Sequence, residues 1–126
     1  MGIHIAWDDD EQSIVRWDFE GQWTADDIQT ALAESIALRD SVAYRTAIIL
    51  NLENSPGLPI GILPKMVTAM SAHPQQREAV VVAGGGALAQ SIGRIYSTVR
   101  RNRNEPFVVV DTLDEARAFI QQFRAN

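Results

Sequence analysis

The chain begins with two short segments in which apolar and polar residues alternate. Residues 3–7 place Ile3, Ile5 and Trp7 on one face, and residues 13–19 follow the same pattern after a very acidic turn. Alternation with a period of two is typical of strands that have one buried face and one wetter face. The pattern therefore predicts an antiparallel pair of strands whose connecting turn is solvated.

Three nearly unbroken apolar runs follow, at residues 46–52, 79–83 and 107–110. Such runs are typical of parallel strands that are covered on both faces. Strands joined by helices are parallel, with right-handed crossovers. We therefore expect these three strands to point the same way, so that their carboxyl ends share one edge of the sheet. Ligands of open α/β sheets bind at that edge.

Four segments have helical spacing or helix-start signals. Thr24 can cap the first helix, and residues 112–115 form a capping box for the last one. The predicted helices run from about 25 to 39, from about 60 or 63 to 73, over 88–99, and from 113 onward. The element order predicts one α/β domain over residues 1–126, β-β-α-β-α-β-α-β-α, in which four helices pack around a mixed five-stranded sheet.

Composition removes several classes of function. The chain has 126 residues and no cysteine, which excludes disulfides, thiolate catalysis and cysteine-based metal sites. The net charge of −5 disfavours generic nucleic-acid binding, because neutralising phosphates needs a broad basic face. His4 and His73 lie far apart, and no carboxylate accompanies either at ligand spacing on a helix face. We predict no metal, no cofactor and no catalytic residues.

No apolar run approaches the length of about 20 residues that a membrane span needs. The first residues lack the basic flank of a signal peptide. The sequence therefore predicts a soluble, cytoplasmic chain. Two copies of the chain could pair along the edge of the hairpin, so a homodimer is also expected.

The connections at the expected edge hold the candidate chemistry, and each has two interpretations. Ser55 is either a phosphoacceptor or a local cap for the next helix, and capping is the more common use of serine. The run 84–86 is Gly-Gly-Gly, which either offers backbone N–H groups to an anion or forms a tight turn that only glycine fits. Trp23 either lines a pocket or covers the edge of the sheet.

The segment 48–58, Ile-Ile-Leu-Asn-Leu-Glu-Asn-Ser-Pro-Gly-Leu, resembles the STAS family of sulphate transporter and anti-sigma factor antagonist domains. It is most similar to the SpoIIAA-like group. These domains have a strand that ends in Asp/Asn-Leu, then a loop with a small hydroxyl residue, then a helix. The antagonist branch has an aspartate where this chain has Asn54, and a second small residue where it has Pro56.

The resemblance implies a non-enzymatic regulatory or binding module that acts through the loop after the third strand, with the first strand at an edge of the sheet. In the antagonist branch a partner kinase phosphorylates the loop serine, which corresponds to Ser55. The alternative is a carrier of a small apolar or lipid-like ligand; an enzyme ranks last. The expected partner is a protein or a small apolar or anionic ligand. The candidate binding residues are Trp23, Asn54, Ser55, Gly57, Gly84, Gly85, Gly86 and Tyr96.

Overall fold

The computed structural model describes residues 2–55, 62, 77–86 and 107–125. In chain order the described elements are β1 (Gly2–Trp7), β2 (Ile14–Glu20), α1 (Ala25–Asp40), β3 (Thr46–Asn51), β4 (Arg77–Ala83), β5 (Phe107–Val110) and α2 (Leu113–Ala125). None of the helices described is long and apolar enough to cross a membrane.

The five strands form one mixed sheet in the order β1-β2-β3-β4-β5. β1 pairs antiparallel with β2, and all further neighbours pair in parallel. The α/β class, the mixed five-stranded sheet and the edge position of β1 agree with the predictions. β2 also runs parallel to β3, so four strands, not three, end at the same edge.

The predicted packing of four helices around the sheet is wrong for the described part of the chain, which forms two helices, α1 and α2. The segments predicted as helices at about 60–73 and at 88–99 lie outside the described residues, apart from Ile62. Apolar spacing indicates which face of a helix can be buried. It does not establish that the helix forms, because most helical stability comes from tertiary packing.

Each face of the sheet carries its own apolar core. On the face under α1, residues from β2, β3 and β4 pack with Ile28 and Ala31 of the helix. On the opposite face, Ala116 and Ile120 of α2 pack against β3 and β4. Burying a large apolar side chain of this kind contributes about 1.5–3 kcal/mol. Ile62, which follows the β3 loop in sequence, belongs to the core under α1.

The start of α1 follows the predicted capping chemistry. The Thr24 hydroxyl accepts a hydrogen bond from the Asp27 backbone N–H, and the Asp27 carboxylate accepts one from the Thr24 N–H. The buried residues of α1 are Ile28, Ala31, Ser35 and Arg39. The Ser35 hydroxyl accepts a hydrogen bond of 3.1 Å from the buried Trp17 indole N–H. A buried hydroxyl is tolerated where it satisfies such a donor.

Two arginines tie α2 to the sheet. Arg117 pairs with Asp8, at the end of β1, and Arg124 pairs with Glu78 of β4; each closest N–O distance is 2.8 Å. Arg124 also donates a hydrogen bond to the Ser13 backbone oxygen at 3.0 Å. These contacts tie α2 to the turn between β1 and β2 and to β4.

Candidate functional site

The carboxyl ends of the four parallel strands β2, β3, β4 and β5 meet at one edge, which confirms the shared edge predicted for the last three. The register places Asp18 of β2 beside Asn51 of β3, Asn51 beside Ala83 of β4, and Ala83 beside Val110 of β5. We call this edge the rim. The connections that follow β2, β3, β4 and β5 all leave from it, so it is the place where the topology collects loop residues.

The segment of the rim that follows β3 is Leu52, Glu53, Asn54 and Ser55, which we call the β3 loop. Its backbone is fixed by the Leu52 N–H, which donates to the Ala83 oxygen at 2.7 Å, and by the Ser55 N–H, which donates to the Leu52 oxygen at 3.2 Å. The Glu53 N–H donates to the Asn51 side-chain oxygen at 3.2 Å. Glu53 and Asn54 are exposed, whereas Ser55 is half-buried.

Trp23 supports the β3 loop from below. Its indole is 3% exposed, and its ring meets that of Phe19 edge-to-face with centroids 4.9 Å apart. The indole Nε1 donates a hydrogen bond of 3.1 Å to the Ser55 hydroxyl oxygen. Trp23 is thus a core residue under the rim whose polar atom reaches the loop, a combination that suits a buried tryptophan.

The glycine run supports the same loop from the side of β4. Gly84, Gly85 and Gly86 all have positive φ, at 81°, 82° and 54°. A Cβ on Gly84 would lie 2.9 Å from the Glu53 nitrogen, closer than real contacts allow, whereas a Cβ on Gly86 would meet nothing within 4 Å. At Gly84, therefore, the prediction of a tight place that only glycine fits is confirmed.

A third support comes from the connection after β2, where the Gly21 N–H donates to the Asn54 oxygen at 3.4 Å. The structure thus brings four of the predicted residues into the β3 loop or against it, namely Trp23, Asn54, Ser55 and Gly84. Gly85 and Gly86 follow Gly84 in the chain, and no described contact joins them to the loop. The other two, Gly57 and Tyr96, lie outside the described residues. The composition of the loop and the glycine run could be read from the sequence, but their mutual contacts could not.

A buried polar network that the sequence did not reveal runs from the rim to α2. The Asn51 side-chain amide is fixed by Asp18, to which it donates at 2.8 Å. Asp18 pairs with Arg16 at 2.9 Å, and Arg16 pairs with Asp8 at 2.7 Å. Arg117 of α2 completes the chain of contacts at Asp8. The network joins residues up to 109 positions apart, and no local spacing signals it.

Asp8 is the centre of this network, because its side chain is 3% exposed and receives two arginines. Burial raises the pKa of Asp8, but the hydrogen bonds and charges of Arg117 and Arg16 outweigh it and lower the pKa below its usual value. Burial lowers the pKa of Arg16, yet its bonds to Asp18 and Asp8 raise it overall. The hydrogen bond to Asp8 raises the pKa of Arg117. The prediction that residues 8–11 are a solvated turn is therefore wrong at Asp8.

The rim presents groups that bind by hydrogen bonding. They are the Glu53 carboxylate, the Asn54 amide, the Ser55 hydroxyl and the glycine backbone. No three histidine, aspartate or glutamate side chains in the described ranges stand close enough to hold a metal ion. The arrangement suits contacts with a polar surface.

Comparisons with protein-family models, with curated proteins and with solved structures found no match to this chain. The resemblance to STAS domains therefore stays a prediction from the segment 48–58, and the geometry of the rim is the basis for a functional proposal.

Proposed function

We propose that this chain is a non-enzymatic regulatory or binding module that docks a protein partner through the β3 loop. The observation that carries the proposal is the way in which an exposed loop is fixed. Asn54 is bonded by Gly21, Ser55 is bonded by Trp23, and the backbone at Glu53 rests against Gly84.

Fixing a loop before it binds raises affinity. Ordering a backbone residue costs about 1–2 kcal/mol. A loop of four residues that is ordered in the free protein avoids most of that cost when a partner binds. Exposed loops with no binding role are ordinarily the more mobile parts of a fold. Here the exposed side chains of Glu53 and Asn54 sit on a backbone with contacts on three sides, which suits them to recognition.

Ser55 gives the proposed surface a means of regulation. Its hydroxyl oxygen accepts from the Trp23 indole, whose ring belongs to the core. A phosphate on Ser55 would add about two negative charges and three strong acceptor oxygens next to that donor. It would also stand beside Glu53, and like charges would change the surface that a partner meets. Modification of Ser55 would therefore alter both the chemistry and the position of the loop.

A site-specific crosslinking experiment tests the proposal. A photo-activated crosslinking residue replaces Asn54 in the full chain, and a matched control carries it at Gln122, which is exposed on α2. Irradiation of the source cells is expected to give a discrete crosslinked protein from position 54 and none from position 122. Crosslinks of equal yield from both positions, or none from position 54, would contradict the proposal.

A Glu53→Arg variant sharpens the experiment, because it reverses one exposed charge of the loop without removing the contacts that Gly21, Trp23 and Gly84 make with the loop. Loss of the crosslink in this background, with unchanged unfolding, is expected if recognition uses the loop. Mass spectrometry of the same samples shows whether Ser55 carries phosphate. If Ser55 never carries phosphate, regulation by phosphorylation is ruled out. The docking surface is then tested by the crosslinks alone.

A further inference from the structure

The outer edge of β1 is an unpaired strand edge within the described part of the chain, since β1 stands at the end of the strand order and has β2 as its neighbour. Proteins ordinarily protect such edges with lysine, proline, a bulge or a charge that points inward. β1 reads Gly-Ile-His-Ile-Ala-Trp and contains none of these devices. A neutral, regular edge of six residues is a template for another strand.

The pairing with β2 shows which backbone groups face outward. The Asp8 N–H donates to the Ile14 oxygen at 2.7 Å, and the register continues through Ala6–Arg16 and His4–Asp18. In an antiparallel ladder every second residue bonds to its partner, so the even-numbered residues of β1 bond to β2. The N–H and C=O groups of Ile3, Ile5 and Trp7 point away from the sheet.

We propose that two copies of this chain pair antiparallel along β1, centred on Ile5, to form one continuous sheet of ten strands. This register uses all three outward-facing residues. Ile5 of one copy lies opposite Ile5 of the other, and Ile3 lies opposite Trp7 at both ends. The side chains of these three residues are half-buried against the core under α1, and the second copy covers apolar surface that one chain leaves partly open.

Charge favours a second copy in this orientation. The acidic turn, residues 8–11, follows β1 directly. Antiparallel pairing puts the two turns at opposite ends of a strand of six residues, about 20 Å apart, which exceeds the screening length of about 8 Å at physiological salt. Parallel pairing would place them side by side. The pairing also closes on itself by two-fold symmetry, so it gives a dimer and not a fibre.

On the face of α2, the proposed register puts His4 opposite Ala6 of the second copy. Both residues are exposed, the His4 side chain at 57%, and neither belongs to a core cluster. They are therefore the positions at which the interface can be changed without opening either core cluster; because Ala6 lies opposite Arg16 and His4 opposite Asp18 in the β1–β2 pairing, urea unfolding of each variant accompanies the test. The double variant His4→Lys/Ala6→Lys places two lysine pairs across the axis.

Sedimentation equilibrium of the full chain tests the proposal. The wild-type chain is expected to dimerise. The double lysine variant is expected to weaken dimerisation by about tenfold or more, because like charges directly opposite destabilise strand pairs. The control Gln121→Lys/Gln122→Lys adds the same charge on exposed positions of α2 and is expected to dimerise like wild type. A wild-type chain that stays monomeric contradicts the proposal, as does a lysine variant that dimerises normally.

Charge reversal separates loss of pairing from loss of folding. A His4→Glu/Ala6→Glu chain is expected to be monomeric alone and to form a one-to-one dimer with the double lysine chain. Amide exchange adds a residue-level readout, since Ile3, Ile5 and Trp7 become protected only in the dimer. Failure of the mixed chains to associate, or protection of these amides only when an extended peptide of another protein is added, would overturn self-pairing.

Discussion

The indole N–H of Trp23 and the hydroxyl oxygen of Ser55 are 3.1 Å apart, although the two residues are 32 positions apart in the chain. One belongs to the core and the other to an exposed loop. The hydrogen bond therefore transmits the rigidity of the core to the surface that we propose as the docking site. The stability of the loop therefore depends on Trp23, a residue outside the loop, and this dependence can be measured.

Removal of the Ser55 hydroxyl tests that bond. Ser55→Ala leaves the buried indole N–H without this acceptor, and an unsatisfied buried donor costs about 1–3 kcal/mol. We expect urea unfolding to report a loss in this range with an unchanged m-value. In a double-mutant cycle with Trp23→Phe, the two losses are expected to be non-additive by about 1 kcal/mol. Additive losses would show that the bond does not couple the two residues.

The glycine run offers a matched pair of substitutions. Gly84→Ala combines a positive φ with a contact of 2.9 Å to the Glu53 nitrogen, whereas Gly86→Ala has a positive φ and open space. The left-handed conformation alone costs about 1–2 kcal/mol. We expect Gly86→Ala to lose about that amount and Gly84→Ala to lose clearly more, as measured by thermal unfolding. Equal losses would contradict the close approach of β4 to the β3 loop.

Asp8 is predicted to make stability depend on acid pH. Its folded-state pKa lies below the unfolded value of about 3.9. The carboxylate therefore contributes its stability fully above the unfolded pKa and loses it as the pH falls through the folded pKa. Asp8→Asn is expected to cost about 2–3 kcal/mol at pH 7, because it removes one partner of a largely buried pair whose arginines are partly exposed. Urea unfolding across acid pH measures both effects.

Asp114→Asn is the control for Asp8, because Asp114 contacts the same Arg117 at 3.3 Å but is 93% exposed. Exposed ion pairs contribute about 0–1 kcal/mol. A loss as large as that of Asp8→Asn would show that Arg117, and not the buried carboxylate, is the important element. An Asp8→Asn chain with the pH dependence of wild type would contradict the assignment of the acid effect to Asp8.

Asn51 links the polar network to the rim, and we expect a negative charge at this position to destabilise the fold. The residue is 7% exposed and donates to the Asp18 carboxylate. Asn51→Asp replaces that donor with a like charge, and we expect urea unfolding at pH 7 to report a loss of about 1–3 kcal/mol. Asn54→Asp, the same change on the exposed loop, is expected to stay within about 0.5 kcal/mol. Equal effects of the two changes would exclude a buried role for Asn51.

Local patterns predicted much of the fold. Alternation at residues 3–7 and 13–19 identified the hairpin, the apolar runs identified β3, β4 and β5, and the helix starts at Thr24 and Thr112 followed from capping chemistry. These features depend on residues that are close together in the sequence, so a single sequence is enough to predict them. The common rim then followed from the rules of parallel connection.

Long-range polar contacts could not be predicted in this way. Asp8 looks like part of a solvated acidic run until the fold places Arg117 beside it, and the hydrogen bond from Trp17 to Ser35 joins residues that are 18 positions apart. Trp23 was predicted either to line a pocket or to cover the edge of the sheet; its contacts with Phe19 and Ser55 place it in the core instead. The predicted packing of four helices is wrong for the described part of the chain, which forms two of them, α1 and α2; spacing indicates the face of a helix and not its packing partner.

The most direct test of the account is the backbone rigidity of the β3 loop in the free protein, measured by ¹⁵N relaxation at Glu53, Asn54 and Ser55. Fixed by Gly21, Trp23 and Gly84, these amides are predicted to have order parameters of about 0.85, as in the strands. Values below about 0.6, typical of flexible backbone, would contradict the claim that the loop is ordered before it binds.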